Sequence, residues 1–174
     1  MIGETTRYLE IARLARAEYL SRWRRIAEKP RTALRYHESS MPSHQTRVRV
    51  RYAETDQMGV VYYANYLVWM EVARVEFCKA LGFRYRDMEI EDGVMIAVVE
   101  AQCRYLYPAR FDDEVIVETQ IEAANPRIVS FGYEMRLAES GRKLATGSTR
   151  HIFCNREMKP VRLPLKYRQM FGVA

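Results

Sequence analysis

Tyr52-Ala-Glu-Thr-Asp56-Gln-Met-Gly59-Val-Val-Tyr-Tyr63-Ala-Asn-Tyr66-Leu-Val-Trp-Met-Glu71-Val-Ala-Arg74 is the stretch on which the reading of this chain turns. Its first part, Glu54 to Gly59, is polar and carries a glycine, as loops do. Its second part opens a helix over about residues 63–81. Tyr66, Met70, Ala73, Phe77 and Leu81 recur there at spacings of three and four, and Gly82 follows as a C-terminal stop.

Upstream the period changes to two. Val48, Val50 and Tyr52 face one way and Arg47, Arg49 and Arg51 the other, which predicts a half-buried strand over residues 46–52. Downstream, residues 83–93 are charged and irregular, and then alternation returns. Val99, Ala101, Cys103, Tyr105 and Tyr107 share one face of a strand over residues 95–107, which Pro108 ends. Val115, Val117, Thr119 and Ile121 mark a strand over residues 114–123; Val129, Phe131, Tyr133, Met135 and Leu137 mark another over residues 128–138. Glu139-Ser-Gly-Arg142 reads as a hairpin turn leading into a last strand over residues 143–154. The order β–α–β–β–β–β predicts an α+β domain, one long helix wrapped by an antiparallel meander. Such wrapping lets a helix be apolar around most of its girth.

Ahead of this domain, Tyr8, Ile11, Ala12, Ala15, Tyr19, Trp23 and Ile26 predict an extra N-terminal amphipathic helix over residues 4–29, stopped by Pro30. Residues 37–45 read as a polar linker, so the expected division is 1–44, helix and linker, and 45–174, the folded domain. A chain starting at Met41 would still be of comfortable size for the folded domain, so residues 1–40 read as an appended extension or an upstream choice of start site. The 174 residues carry a net charge of +6, and residues 1–44, with nine basic and five acidic side chains, hold four of those six charges. No run of five like charges occurs, so a solvated helix face accounts for the surplus and no nucleic-acid partner is expected.

The first residues lack the charged-then-apolar layout of a secretory signal, and no stretch approaches the roughly 18–20 apolar residues of a membrane helix, so a cytoplasmic location without an integral membrane segment is expected. Cys78, Cys103 and Cys154 are odd in number, widely separated and unpaired with any histidine at ligand spacing. They read as small apolar residues in a reducing compartment, with no metal site.

The nucleophile and nucleotide motifs G-x-S-x-G, H-E-x-x-H, G-x-x-x-x-G-K-[ST] and G-x-G-x-x-G are all missing. Asp56 stands out instead, because its loop runs into a helix N-terminus, where unpaired amides and the helix dipole favour negative charge. A carboxylate beside such amides has the parts for acyl transfer, with Gly59 allowing a ligand close to the backbone. Asp56 as a turn cap and Gly59 as a positive-φ residue explain the spacing equally well.

The segment from Tyr52 to Arg74 resembles the signature of the hotdog-fold acyl-CoA thioesterases, in particular the 4-hydroxybenzoyl-CoA thioesterase family and its Tol–Pal-associated branch. Cys103-Arg-Tyr-Leu-Tyr-Pro108-Ala-Arg-Phe-Asp112-Asp113-Glu resembles the same family's second strand and following turn. The resemblance covers about residues 46–160 and implies the hotdog fold, acyl-CoA as substrate, no cofactor, and a homodimer or homotetramer. It implies that Asp56 is the catalytic carboxylate, as nucleophile or general base, and that the Tyr63 N–H polarises the thioester carbonyl. Gly59, Val60 and Tyr66 are then substrate-binding positions. Many members carry histidine where this chain has Tyr63, so any imidazole assistance is lost here while the amide role survives. Arg104, Arg110, Arg127, Arg150 and Lys159 are candidates for the coenzyme A phosphates. Two alternatives belong to other classes: a non-catalytic acyl-CoA-sensing module whose leader contacts nucleic acid, and a hotdog acyl-thioester dehydratase, which would need a histidine near Asp56.

Overall fold

A computed structural model describes residues 42–173. The expected helix at residues 4–29, its stop at Pro30 and residues 37–41 of the expected linker lie outside the described residues. Five strands are formed, β1 (Ser43–Arg49), β2 (Met95–Tyr105), β3 (Glu114–Asn125), β4 (Ile128–Leu137) and β5 (Lys143–Cys154). Three helices accompany them, α1 (Asn65–Ala80), α2 (Tyr85–Glu91) and α3 (Leu165–Arg168).

Period-two patterning becomes burial on one face. In β3, Val115, Val117, Thr119 and Ile121 are all buried, and in β4 so are Val129, Phe131, Tyr133 and Met135. Every pairing is antiparallel, with Val48 opposite Val115, Val117 opposite Met135, and Phe131 opposite Thr149. The sheet order is β1-β3-β4-β5-β2. The expected meander therefore holds only for β3–β4–β5. Strand β2 pairs with β5 at the far edge, Cys103 opposite Gly147, because α1 and α2 carry the chain across the sheet before β2 begins. Alternation fixes which face a residue takes but not which neighbour a strand finds.

Helix α1 lies against the buried face through Tyr66, Trp69, Met70, Ala73, Phe77 and Cys78. Gly147 permits that approach: a Cβ there would run into the Met70 side chain and come within 2.7 Å of the Gln102 carbonyl oxygen. The outer face of α1 leaves Leu67, Val68 and Val72 exposed, so the sheet covers one side of the helix.

Four local expectations are corrected. Helix α1 starts at Asn65, two residues later than the spacing suggests, since Tyr63 and Ala64 form a turn ahead of it. Tyr52 is not the inward end of β1. It sits in a short 3-10 turn, Tyr52–Glu54, exposed and edge-on to Phe111. Residues 83–93 are not irregular throughout, because burial of Met88 holds residues 85–91 in α2. Ser43–Gln45, read as linker, already belong to β1.

The C-terminal residues close one end of the core. Leu163, Tyr167 and Phe171 are buried, with Phe171 against Phe83, Phe131 and Phe153. Tyr167 Oη donates to Asp92 Oδ2 at 2.8 Å, tying α3 to the end of α2.

Candidate active site at the entry of helix α1

Asp56 begins a tight loop between the 3-10 turn and α1. Its N–H donates to Val60 O at 2.9 Å, its carbonyl accepts the Gly59 N–H at 3.0 Å, and its Oδ1 accepts the Met58 N–H at 2.8 Å. Gly59 takes φ +70°, the left-handed conformation that closes such a turn without a Cβ penalty. The turn-capping role is thus filled through one carboxylate oxygen. Asp56 Oδ2 is engaged by no hydrogen bond among the described residues, and the side chain is half-buried.

Glu54 fastens this loop to the helix. Its backbone oxygen accepts the Tyr62 N–H at 2.9 Å and Asn65 Nδ2 at 2.8 Å. Its buried carboxylate accepts Arg51 N at 2.8 Å, Arg51 Nη2 at 2.9 Å and Trp69 Nε1 at 3.3 Å. Burial acts to raise its pKa, but these hydrogen bonds to the ionised form outweigh it and hold the carboxyl below its ordinary value. No sequence signal singled Glu54 out, since an acidic residue in a polar loop is ordinary.

At the helix entry, Ala64 is the N-cap and no side chain caps the first amides. The Asn65 N–H returns to Tyr62 O at 3.0 Å and the Leu67 N–H to Ala64 O at 3.1 Å, whereas the Tyr63 N–H meets no acceptor among the described residues. Tyr63 itself is 59% exposed. An uncapped helix start with an unpaired N–H is a ready receiver for negative charge.

The two segments that carry the family resemblance meet here. After β2, the chain lays residues 105–110 beside the Asp56 loop. Val61 N–H donates to Ala109 O at 2.8 Å, Ala109 N–H to Tyr66 Oη at 3.1 Å, Arg110 Nη1 to Gly59 O at 3.4 Å, and Tyr105 Oη to Tyr63 O at 3.1 Å. Tyr66 is only 3% exposed, its ring between Trp69 and Tyr105, so in the single chain it stands behind the site. Val60 is half-buried and Gly59 exposed at the loop mouth. Of the phosphate candidates, Arg110 touches the loop; Arg104 is exposed in β2, Arg150 lies in β5, Arg127 follows β3 and Lys159 lies past β5.

Groups that often do chemistry lie elsewhere, under the middle of α1. Arg74, 8% exposed, donates from Nε to Tyr85 Oη at 3.1 Å, with the Tyr133 hydroxyl beside it. Tyr133 Oη lies 2.9 Å from Thr149 Oγ1, which lies 2.8 Å from His151 Nε2. Burial, with Arg74 nearby, pushes the His151 pKa down to about 3, and burial pushes the Cys78 thiol up to about 12. At neutral pH the imidazole is thus uncharged and the thiol protonated, both fully buried. Among the described residues His151 bonds to Thr149 and to no residue of the Asp56 loop, where a dehydratase would need its histidine.

Comparison with known proteins bears on the family and the fold. Residues 50–171 match the thioesterase-like superfamily. YneP of Bacillus subtilis is 40% identical over 124 residues, 71% of this chain and 86% of that protein. The acyl-CoA thioesterase YbgC of Haemophilus influenzae is 31% identical over 125 residues, 71% of this chain and 90% of YbgC. The crystal structure of a DHNA-CoA thioesterase from Staphylococcus aureus superposes with a TM-score of 0.71 at 34% identity, covering 75% of this chain and 89% of that one. With a family match over residues 50–171, relatives at 40% and 31% identity and a shared fold, the chain belongs to the thioesterase-like superfamily of hotdog proteins.

Proposed function

We propose that the protein hydrolyses acyl-CoA thioesters to a free acid and coenzyme A at the Asp56 loop. The observation that carries this reading is the uncapped entry of α1, with its unpaired Tyr63 N–H, next to a carboxylate whose second oxygen is uncommitted. A thioester is already activated, so neither a triad nor a metal or organic cofactor is needed. The Asp56 carboxylate either attacks the carbonyl carbon, expelling the CoA thiolate and leaving a mixed anhydride for water to cleave, or takes a proton from the attacking water. In both routes negative charge grows on the carbonyl oxygen, and the Tyr63 N–H, aided by the α1 dipole, receives it. One such donor is worth on the order of a hundredfold to a thousandfold in rate.

Gly59 and Val60 form the mouth through which the thioester approaches, Tyr66 backs the acyl group, and Arg110 is the cation best placed for a CoA phosphate, given its contact with Gly59. The protein works as a homodimer or homotetramer. Support comes from the exposed apolar row Leu67, Val68 and Val72 on α1 and from β2, an edge strand of the sheet. No helix among the described residues is long and apolar enough to cross a membrane, and a cytoplasmic location fits an acyl-CoA substrate. Thiol release from a panel of aromatic, short and long acyl-CoAs tests the reading: turnover on at least one member is expected, and none on any would refute it.

A further inference from the structure

Tyr105 ends β2, with its ring edge-on to both Tyr63 (centroids 6.5 Å apart) and Tyr66 (5.2 Å). Its hydroxyl donates to Tyr63 O at 3.1 Å. That carbonyl is where the helix would ordinarily accept the N–H four residues ahead, from Leu67. Here the Leu67 N–H turns to Ala64 O, and among the described residues the Tyr105 hydroxyl alone is bonded to Tyr63 O. The two peptide planes that flank the Tyr63 Cα are thus held separately. The plane bearing the Tyr63 N–H is fixed through Tyr62 O, which accepts the Asn65 N–H, and the following plane is fixed by Tyr105.

We propose that Tyr105 is a positioning residue for thioester hydrolysis, its hydroxyl pinning the Tyr63 carbonyl so that the turn ahead of α1 keeps the Tyr63 N–H presented to the substrate. The proposal rests on the reading of the Tyr63 N–H as the oxyanion donor. Preorganised donors work because they need not reorient as charge develops, so freedom in this turn is lost catalysis. Burial, together with Cys103, Tyr63 and Tyr66, pushes the Tyr105 phenol up to about 12, so it stays a donor at any pH at which thioesterase assays are run. Nothing in the alternating pattern distinguishes Tyr105 from its strand neighbours; the role comes from the strand ending beside the helix entry.

The test compares kcat and KM of the full chain, on the acyl-CoA turned over best, for wild type, Tyr105→Phe, Tyr107→Phe and Asp56→Ala. Tyr107 is the control, a nearby tyrosine whose ring faces Arg142. Tyr105→Phe keeps the ring and loses one neutral hydrogen bond, so kcat is expected to fall about tenfold with KM within about twofold and the melting temperature within about 2 °C. Tyr107→Phe should match wild type. In NMR spectra the Tyr63 carbonyl 13C resonance should move upfield in Tyr105→Phe, a readout that mere packing would not shift. Undiminished turnover in Asp56→Ala would overturn the hydrolytic reading and this proposal with it. An impaired Asp56→Ala beside a Tyr105→Phe of wild-type kcat, or one whose loss follows a fall in melting temperature, would overturn this proposal alone.

Discussion

Two groups of polar side chains serve the same helix in different ways. At the entry of α1, Asp56 and the Tyr63 N–H are partly exposed and each keeps hydrogen-bonding capacity in reserve. Under its middle, Arg74 donates to Tyr85 with Tyr133 beside it, and Tyr133, Thr149 and His151 are linked in turn, His151 Nδ1 being buried without a partner among the described residues. The interior group holds the residue types usually associated with catalysis, with Arg74, Tyr133, Thr149 and His151 buried. The open group holds a plain carboxylate and backbone, and it is where a substrate can arrive. Residue type is therefore a poorer guide to this site than unspent hydrogen-bonding capacity at an accessible place.

If the interior group is structural, its loss should be felt in stability. Arg74→Ala removes a long buried side chain and leaves the Tyr85 and Tyr133 hydroxyls short of a partner. Urea unfolding should show a loss of about 3 kcal/mol, with turnover per folded molecule within about threefold of wild type. A stable but inactive Arg74→Ala would break the contrast.

The next effect is one of pH. The His151 pKa is about 3 in the fold against 6.5 for a free imidazole, so between these values the unfolded chain binds a proton that the native chain does not. Stability is then full above pH 6.5 and falls as the pH drops toward 3, by at most about 1.4 kcal/mol per pH unit. Glu54, whose folded pKa is also lowered, adds a loss of the same sign, but only around and below its ordinary value of 4.5. The interval from pH 4.5 to 6.5 therefore isolates the imidazole. Unfolding measured across it should show a slope that His151→Asn flattens. The smallest effect concerns the tie between loop and helix. Glu54→Gln keeps one acceptor oxygen, for Trp69, but loses the charge that Arg51 meets and sets an NH2 against the Arg51 N–H, and should cost about 1–2 kcal/mol.

Much of this was legible in the chain. Alternation placed β3, β4 and β5, and helical spacing placed α1 to within two residues. The position of β2 was not legible, because its partner depends on how α1 and α2 carry the chain across the sheet. The C-terminal clasp is not legible although Leu163, Tyr167 and Phe171 recur every fourth residue, because the run is short and sits among prolines and basic residues. For the candidate site, the motif points to Asp56 and Tyr63, whereas Glu54 sits in an ordinary polar loop and Tyr105 bonds across 42 residues of sequence, which leaves no local signature.

The contrast between the two groups is tested most directly by thiol release from acyl-CoA with wild type, Asp56→Ala and His151→Asn assayed side by side at neutral pH. The account predicts that Asp56→Ala stays folded, with the melting temperature lowered by a few degrees for the lost Met58 N–H cap, and loses about a hundredfold or more in kcat, while His151→Asn stays within about threefold of wild type. Undiminished turnover in Asp56→Ala, or a collapse of turnover in a folded His151→Asn, would contradict it.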